Sequence, residues 1–339
     1  MTDQLFMQRA LELAQLGVGS VAPNPMVGCV IVYEGKIIGE GYHELFGGPH
    51  AEVNAVNSVK DVELLSESTV YVTLEPCSHF GKTPPCADLL VEKKVKKVII
   101  CNDDPNPQVA GRGIRKLRDA GIAVEVGLLA DKGLEINKRF FTFQRLHRPY
   151  VVLKWAQTRD GFVARENFDS KWISNAQSRQ LVHKWRSEES SIMVGTNTAI
   201  YDNPSLTVRD WQGKNPVRVV IDRELKLRDD SNLFDGEVQT LVLTLKERES
   251  TEKVKYITLK NLEPESILEV LYNQKLLSVL IEGGSALLQS FIKVNLWDEA
   301  RVFTSETKFE RGIAAPVLND EPFEEQKIGS DQLTCYQNK

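Results

Sequence analysis

At 339 residues, 42% of them apolar and 26% charged, the chain is long enough for two domains with substantial cores. A formal charge of −5 and a pI near 5.7 offer no basic excess to hold a nucleic-acid backbone, so a polymeric RNA or DNA substrate is disfavoured. No apolar run reaches the length of a membrane span, and Met1-Thr2-Asp3-Gln4 lacks the charged-then-apolar pattern of a signal peptide; a cytoplasmic protein with no membrane partner is expected.

Apolar spacing at Phe6, Ala10, Leu13 and Ala14 predicts an opening helix, and the apolar runs Val27 to Val32, Thr69 to Thr73, Lys97 to Ile100 and Ala123 to Val126 predict strands. Between them, Ala51 to Val59, Ala87 to Glu92 and Gly113 to Ala120 have helical composition, which reads as α/β with part of the sheet made parallel by crossovers. Ala130 to Arg148 is rich in charge and ends in Arg148-Pro149, so a domain boundary is placed near residue 146, giving domains 1–146 and 147–339. The second domain alternates again. Its strands are expected at Tyr150 to Leu153, Ile192 to Val194, Val217 to Ile221, Thr240 to Thr244, Val279 to Ile281 and Arg301 to Phe303, with a helix near Gln177 to Arg186.

Five cysteines in a chain read as cytoplasmic argue for metal binding over disulfides. Cys29 and Cys101 lie in apolar runs and read as buried strand positions, whereas Cys77 and Cys86 follow His50-Ala51-Glu52 in the order a zinc deaminase uses. His50, Cys77 and Cys86 are three ligands that leave the fourth tetrahedral position for water, the hallmark of a catalytic site. Residues two apart share a site only at a helix's first turn, and Pro49 fits that placement, so Glu52 is the expected general acid/base. A structural zinc knuckle is the alternative, with His43 available to close the sphere.

The spacing departs from Pro-Cys-x-x-Cys by placing eight residues, Ser78 to Pro85, between the cysteines. That insert carries His79 and Lys82 beside the metal and suits a small anionic substrate, Lys82 being a natural phosphate contact or else a solvated loop lysine.

Ala22-Pro23-Asn24-Pro25-Met26-Val27-Gly28, Gly48-Pro49-His50-Ala51-Glu52, Glu75 to Cys86 and Asp104-Pro105-Asn106-Pro107 together resemble the deaminase half of the bifunctional riboflavin biosynthesis deaminase/reductase family. The resemblance implies a cytidine-deaminase-like three-layer α/β/α domain that removes the 2-amino group of 2,5-diamino-6-(5-phosphoribosylamino)pyrimidin-4(3H)-one, with Asn24, His43, His79, Lys82, Asp104 and Asn106 around the substrate. An Asn between prolines reads equally as a turn former.

In the second domain no Gly-x-Gly-x-x-Gly follows a strand, so another cofactor mode is needed. Ser278 to Ser285 reads as strand, glycine turn and helix start, a weak phosphate-site signal by itself. Joined to Lys154 to Gly161, Ser170 to Ser174, Val194 to Thr198 and Asp202 to Arg209, it resembles the reductase half of the same family, which is dihydrofolate-reductase-like. The resemblance implies NADPH lined by Ala156, Trp172, Thr198, Asp202 and the run Gly284, Ser285, Ala286, Leu287, Leu288, Gln289 and Ser290. It implies a substrate lined by Ser170, Arg186, Leu206, Arg209 and Glu282, whose ribosyl chain is reduced to ribityl. Arg186 and Arg209 suit a phosphate, with a surface salt bridge as the alternative; Lys154 suits a sugar oxygen, with a solvent-facing strand lysine as the alternative. His183 reads as structural. The resemblance also implies a homo-oligomer acting on small phosphorylated pyrimidines. A competing reading keeps the zinc deaminase but gives it another nucleoside or a tRNA base, with a non-catalytic C-terminal binding domain. Residues from about Pro322 onward match no pattern.

Overall fold

The structure, a computed structural model, describes residues 2–78, 84–106, 109–170 and 173–338. Its contacts divide the chain into two compact units, Met1–Leu146 and His147–Lys339.

The first unit runs α1 (Asp3–Gln15), β1 (Gly28–Tyr33), β2 (Lys36–Tyr42), α2 (Ala51–Ser58), β3 (Thr69–Leu74), α3 (Cys86–Glu92), β4 (Lys97–Asn102), α4 (Arg112–Asp119), β5 (Ala123–Val126), α5 (Ala130–Ile136) and α6 (Lys138–Leu146). Its described strands form one sheet in the order β2-β1-β3-β4-β5, with β1 antiparallel to both neighbours and β3, β4 and β5 parallel. Side chains of a strand alternate between faces. Cys29, Ile31, Val70, Val72, Val98 and Ile100 therefore pack under Ala55, Leu90 and Leu117 of α2, α3 and α4. Val30, Val32, Tyr71, Ile99 and Cys101 face Phe6, Met7 and Leu11 of α1 on the other side. Helices thus cover both faces, and Cys29 and Cys101 are buried strand residues.

The charged stretch after Gly127 forms α5 and α6, with Phe140 and Phe141 buried on the latter. The sequence reading also left out β2, whose alternation Lys36-Ile37-Ile38-Gly39-Glu40 is interrupted by glycines that let it lie close to α2.

The second unit runs β6 (Tyr150–Gln157), β7 (Phe162–Ala164), α7 (Ala176–Glu188), β8 (Ser191–Val194), α8 (Thr196–Asp202), β9 (Val217–Ile221), β10 (Thr240–Thr244), β11 (Val254–Thr258), α9 (Pro264–Asn273), β12 (Ser278–Ile281), α10 (Ser285–Lys293), β13 (Glu299–Thr304), β14 (Ile313–Ala314), β15 (Pro322–Ile328) and β16 (Asp331–Gln337). The main sheet has the order β11-β10-β9-β8-β12-β6-β13-β16-β15, parallel from β11 to β13 and closed by the antiparallel pair β16 and β15. Val151, Leu153 and Trp155 of β6 pack with Leu268 and Leu271 of α9 and Phe291 of α10 on one face. Tyr150 and Val152 pack with Val182 and Trp185 of α7 on the other. The tail beyond Pro322 is thus a hairpin whose β16 buries Leu333, Thr334 and Cys335, while β15 lies almost wholly exposed at the sheet edge. An exposed strand carries no apolar alternation, which hides it from a pattern reading.

Among the described residues, no helix is long and apolar enough to cross a membrane.

Candidate active sites

In the first unit, the strand-to-helix turns of one sheet end bring three ligands together. His50 is extended, with φ −75° and ψ 164°, and forms the N-cap of α2, so its ring and the first-turn Glu52 meet at the same helix end. Cys77 leaves β3 through Glu75-Pro76, and Cys86 opens α3 and donates its backbone N–H to the Cys77 sulfur at 3.3 Å. His50 Nδ1 lies 3.5 Å from Cys77 Sγ and 3.3 Å from Cys86 Sγ, and all three ligand atoms lie within 4.8 Å of one another. A tetrahedral zinc bonded to nitrogen at about 2.1 Å and sulfur at about 2.3 Å holds those atoms about 3.6 Å apart, so the residues fit the ion.

Hydrogen bonds from Cys86 and His50 push the Cys77 thiol down to about 4, toward the thiolate that a metal needs. Glu52 is 3% exposed, and burial together with the charge of Cys77 lifts its carboxyl to about 7. His43 does not join the ligand group: its Nδ1 sits 2.9 Å from Pro49 O and its Nε2 3.2 Å from the Asn24 amide. Burial lowers its pKa, which fits a neutral ring donating to Pro49 O and accepting from Asn24.

A cavity of 340 Å³ opens onto these groups, and Asn24, His43, Asp104 and Asn106 line it with His50, Glu52 and Cys77. Asn137 fixes the loop that carries Asn24, accepting from Met26 N–H and donating to Met26 O, both at 2.8 Å. His79 and Lys82 lie outside the described residues. Glu75, Phe140 and Gln144 also line the cavity and were missed in the sequence; two come from α6, whose charged composition resembled a linker.

In the second unit a cavity of 590 Å³ is lined by Lys154, Ala156, Ser170, Arg186, Thr198, Asp202, Leu206, Arg209, Glu282, Gly284, Ser285, Ala286 and Leu288. The turn after β12 is glycine for a geometric reason. Gly283 has φ 153° and Gly284 φ 83°, conformations that L side chains rarely adopt, and a Cβ on Gly283 would lie 3.2 Å from the Thr198 side chain. The turn leads into α10, whose first amides lack intrahelical acceptors, a cradle suited to a dinucleotide phosphate.

Deep in this cavity Glu282 accepts paired hydrogen bonds from Arg186 at 2.7 and 2.9 Å, and Lys154 Nζ stands 3.9 Å away. Burial alone would raise the Glu282 carboxyl, but Arg186 and Lys154 hold it below its ordinary value; burial lowers Lys154. Arg186 also donates to Thr207 O at 3.1 Å, so its ion pair with Glu282 belongs to the cavity and is not a surface salt bridge. Lys154 is half-buried in the cavity lining and does not project freely into solvent. Arg209 donates to Thr207 Oγ1 at 3.3 Å and is the more available guanidinium. Ser170 donates to the Asp202 carboxylate at 3.1 Å. Three expected cofactor residues do not line the cavity: Leu287 packs beside Gly195 and the core, Gln289 Oε1 accepts from Val317 N–H, and Ser290 bonds Leu287 O within its helix. Trp172 lies outside the described residues.

Residues 149–306 match the RibD C-terminal domain family, and residues 1–102 match the zinc-binding region of cytidine and deoxycytidylate deaminases. The riboflavin biosynthesis protein RibD of Aquifex aeolicus is 42% identical over 330 residues, covering 95% of this chain and 92% of that protein. The RibD protein of Escherichia coli K12 is 37% identical, covering 89% and 87%. The chain belongs to the RibD family. A solved member of it, described as a diaminohydroxyphosphoribosylaminopyrimidine deaminase/5-amino-6-(5-phosphoribosylamino)uracil reductase from Thermotoga maritima, superposes with a TM-score of 0.91 at 38% identity, over 99% of this chain and 98% of that one. The fold is accordingly a cytidine-deaminase-like unit followed by a dihydrofolate-reductase-like one. RibD membership makes the chain a bifunctional enzyme of riboflavin biosynthesis, a zinc-dependent deaminase and an NADPH-dependent reductase. The match over residues 149–306 does not favour a C-terminal domain that only binds.

Proposed function

We propose that residues 1–146 deaminate 2,5-diamino-6-(5-phosphoribosylamino)pyrimidin-4(3H)-one and that residues 147–339 reduce the ribosyl chain of the resulting uracil to ribityl. The observation that carries the first half is a buried carboxylate, Glu52, beside three clustered ligand atoms on a closed-in cavity. His50, Cys77 and Cys86 would hold zinc, which would supply a water of lowered pKa for hydrolysis at C2 of the ring. Glu52 takes the proton from that water and delivers it to the 2-amino nitrogen, which leaves as ammonia. Asn24, His43, Asp104 and Asn106 orient the ring and ribosyl phosphate, and Lys82 meets the phosphate.

In the second unit bound NADPH would supply the hydride needed at the open-chain aldehyde carbon of the sugar. The start of α10 with Ala156, Thr198 and Asp202 holds the cofactor. Lys154 donates to the sugar oxygen as negative charge develops on it, and its neighbour Glu282 keeps its ammonium in place. Arg209 takes the substrate phosphate, while Arg186 sets the Glu282 carboxylate. The resemblance further supports a homo-oligomer, which sedimentation would test.

The experiment supplies zinc-loaded protein with the diaminopyrimidinone, with and without NADPH, and follows ammonia and NADPH separately. Both signals are expected. Ammonia alone would remove the reductase half of the proposal, and neither would remove the substrate.

A further inference from the structure

Three buried carboxylates, Glu52, Glu75 and Asp104, line the deaminase cavity, and they live in different surroundings. Glu75 is 4% exposed and sits between the end of β3 and the ligand Cys77. Its Oε1 accepts from the backbone N–H groups of Gly113 at 2.9 Å and Ile114 at 3.2 Å, and its Oε2 from those of Gly111 at 2.9 Å and Asp104 at 3.4 Å. Burying a charge is expensive unless it is hydrogen-bonded, and four donors meet that requirement without a cation.

Three of those donors belong to the start of α4. A helix leaves its first amides without intrahelical acceptors, and a local side chain usually takes them. Here the N-cap is Gly111, which has no side chain to offer and no cap bond. Glu75, 36 residues earlier, supplies the missing acceptor and places negative charge at the positive end of the helix. Gly113 confirms how tightly α4 is docked there, since a Cβ at that position would lie 2.0 Å from Pro76 O. The fourth donor, Asp104 N–H, opens the turn in which the Asp104 carboxylate accepts from Asn106 N–H at 2.8 Å, and both side chains line the cavity.

We propose that Glu75 is a positioning residue of the deaminase centre: its carboxylate, two residues before the ligand Cys77, ties the Asp104-Asn106 substrate wall to the start of α4 in a single rigid frame. It is not a second proton carrier, because its oxygens are already occupied by backbone donors. The inference rests on the deaminase reading given above. Loss of Glu75 acts on substrate binding through the Asp104-Asn106 wall, and leaves Glu52 and the three ligands in place.

The test uses full-length, zinc-loaded Glu75→Gln and Glu75→Asp. Glutamine replaces one acceptor oxygen with an NH2 that faces N–H donors, so it breaks the frame although it matches the size; aspartate keeps both acceptors. Expected for Glu75→Gln are wild-type zinc content, an increase of about tenfold or more in the deaminase KM with kcat within about threefold, and faster amide hydrogen exchange in peptides spanning residues 109–117. Glu75→Asp should recover part of the KM loss. A kcat fall of about 100-fold at full zinc with unchanged KM would make Glu75 a proton carrier and overturn the proposal. Unchanged exchange, or activity lost only in proportion to zinc, would overturn it equally. If the wild type releases no ammonia from the diaminopyrimidinone, the substrate reading fails, and the exchange measurement still decides whether Glu75 holds the frame.

Discussion

Glu75 of the first unit is met by four backbone N–H groups, whereas Glu282 of the second is met by the side chains of Arg186 and Lys154. Backbone donors are fixed by the fold and cannot be mutated away one at a time. A side-chain triad can, and each member is then left as an uncompensated buried charge. The first unit therefore separates chemistry from scaffold, with Glu52 free to carry a proton while Glu75 holds the walls. In the second unit the same buried ions serve both purposes.

The largest effect should come from Glu52→Gln, which removes the proton carrier beside the ligand group. The deaminase kcat is expected to fall about 100- to 10,000-fold with zinc content and reductase rate retained. Thermal stability should hold or rise slightly, because burying a carboxyl is costly. Metal analysis with separate ammonia and NADPH assays checks this, and a concurrent loss of zinc would show that Glu52 belongs to the scaffold after all.

Arg186→Ala should do the opposite, coupling loss of activity to loss of fold. It strands Glu282 beside Lys154, which costs about 3–5 kcal/mol and should lower the denaturation midpoint of the second unit. The triple change Arg186→Met, Glu282→Leu and Lys154→Met, which leaves no member of the triad stranded, should recover much of that stability without any reductase activity. If stability does not return, the triad is not the cause.

Gly283→Ala sits between these extremes. Its φ of 153° and the 3.2 Å approach to Thr198 strain any side chain, so the turn and the start of α10 should shift. The KM for NADPH is expected to rise about tenfold, with the deaminase untouched, as titrations of each activity would show.

The same contrast explains what the sequence revealed. His50, Glu52, Cys77 and Cys86 are chemically distinctive residues at strand-to-helix turns, so residue type and spacing were enough to join them. Continuous apolar runs likewise exposed the central strands of both sheets, which are buried on both faces. Glu75 was hidden because its role depends on backbone donors 29 to 39 residues away that carry no side-chain signature. The pairing of Arg186 with Glu282 spans 96 residues, and nothing local tells a buried triad from a phosphate clamp. Gln289 and Ser290 were misplaced for a simpler reason: a helix turns 100° per residue, so an unbroken run cannot all face one cavity. Charged α6 and exposed β15 lack the apolar period on which such readings depend.

The smallest effect tests whether the second unit also uses a backbone contact. His183, 5% exposed, accepts the Arg209 backbone N–H at its Nδ1, 3.2 Å away, while Nε2 stands 3.5 Å from Asp210. Burial lowers its pKa, helped by the charges of Arg186 and Arg209 and opposed by Asp210 and Glu282. A depressed folded-state pKa means the neutral ring stabilises the fold above the unfolded value of 6.5, and that contribution is lost as pH falls through the lower folded value. Protonation also fills the acceptor site that holds Arg209. The reductase KM should therefore climb as pH falls through that lower folded value in the wild type, while kcat moves little. His183→Asn offers an acceptor that does not titrate, and should flatten that climb. A pH profile of KM unchanged by the substitution would show that the Arg209 loop is held without the His183 contact, by Asn215 on Val208 N–H and by Arg186 on Thr207 O.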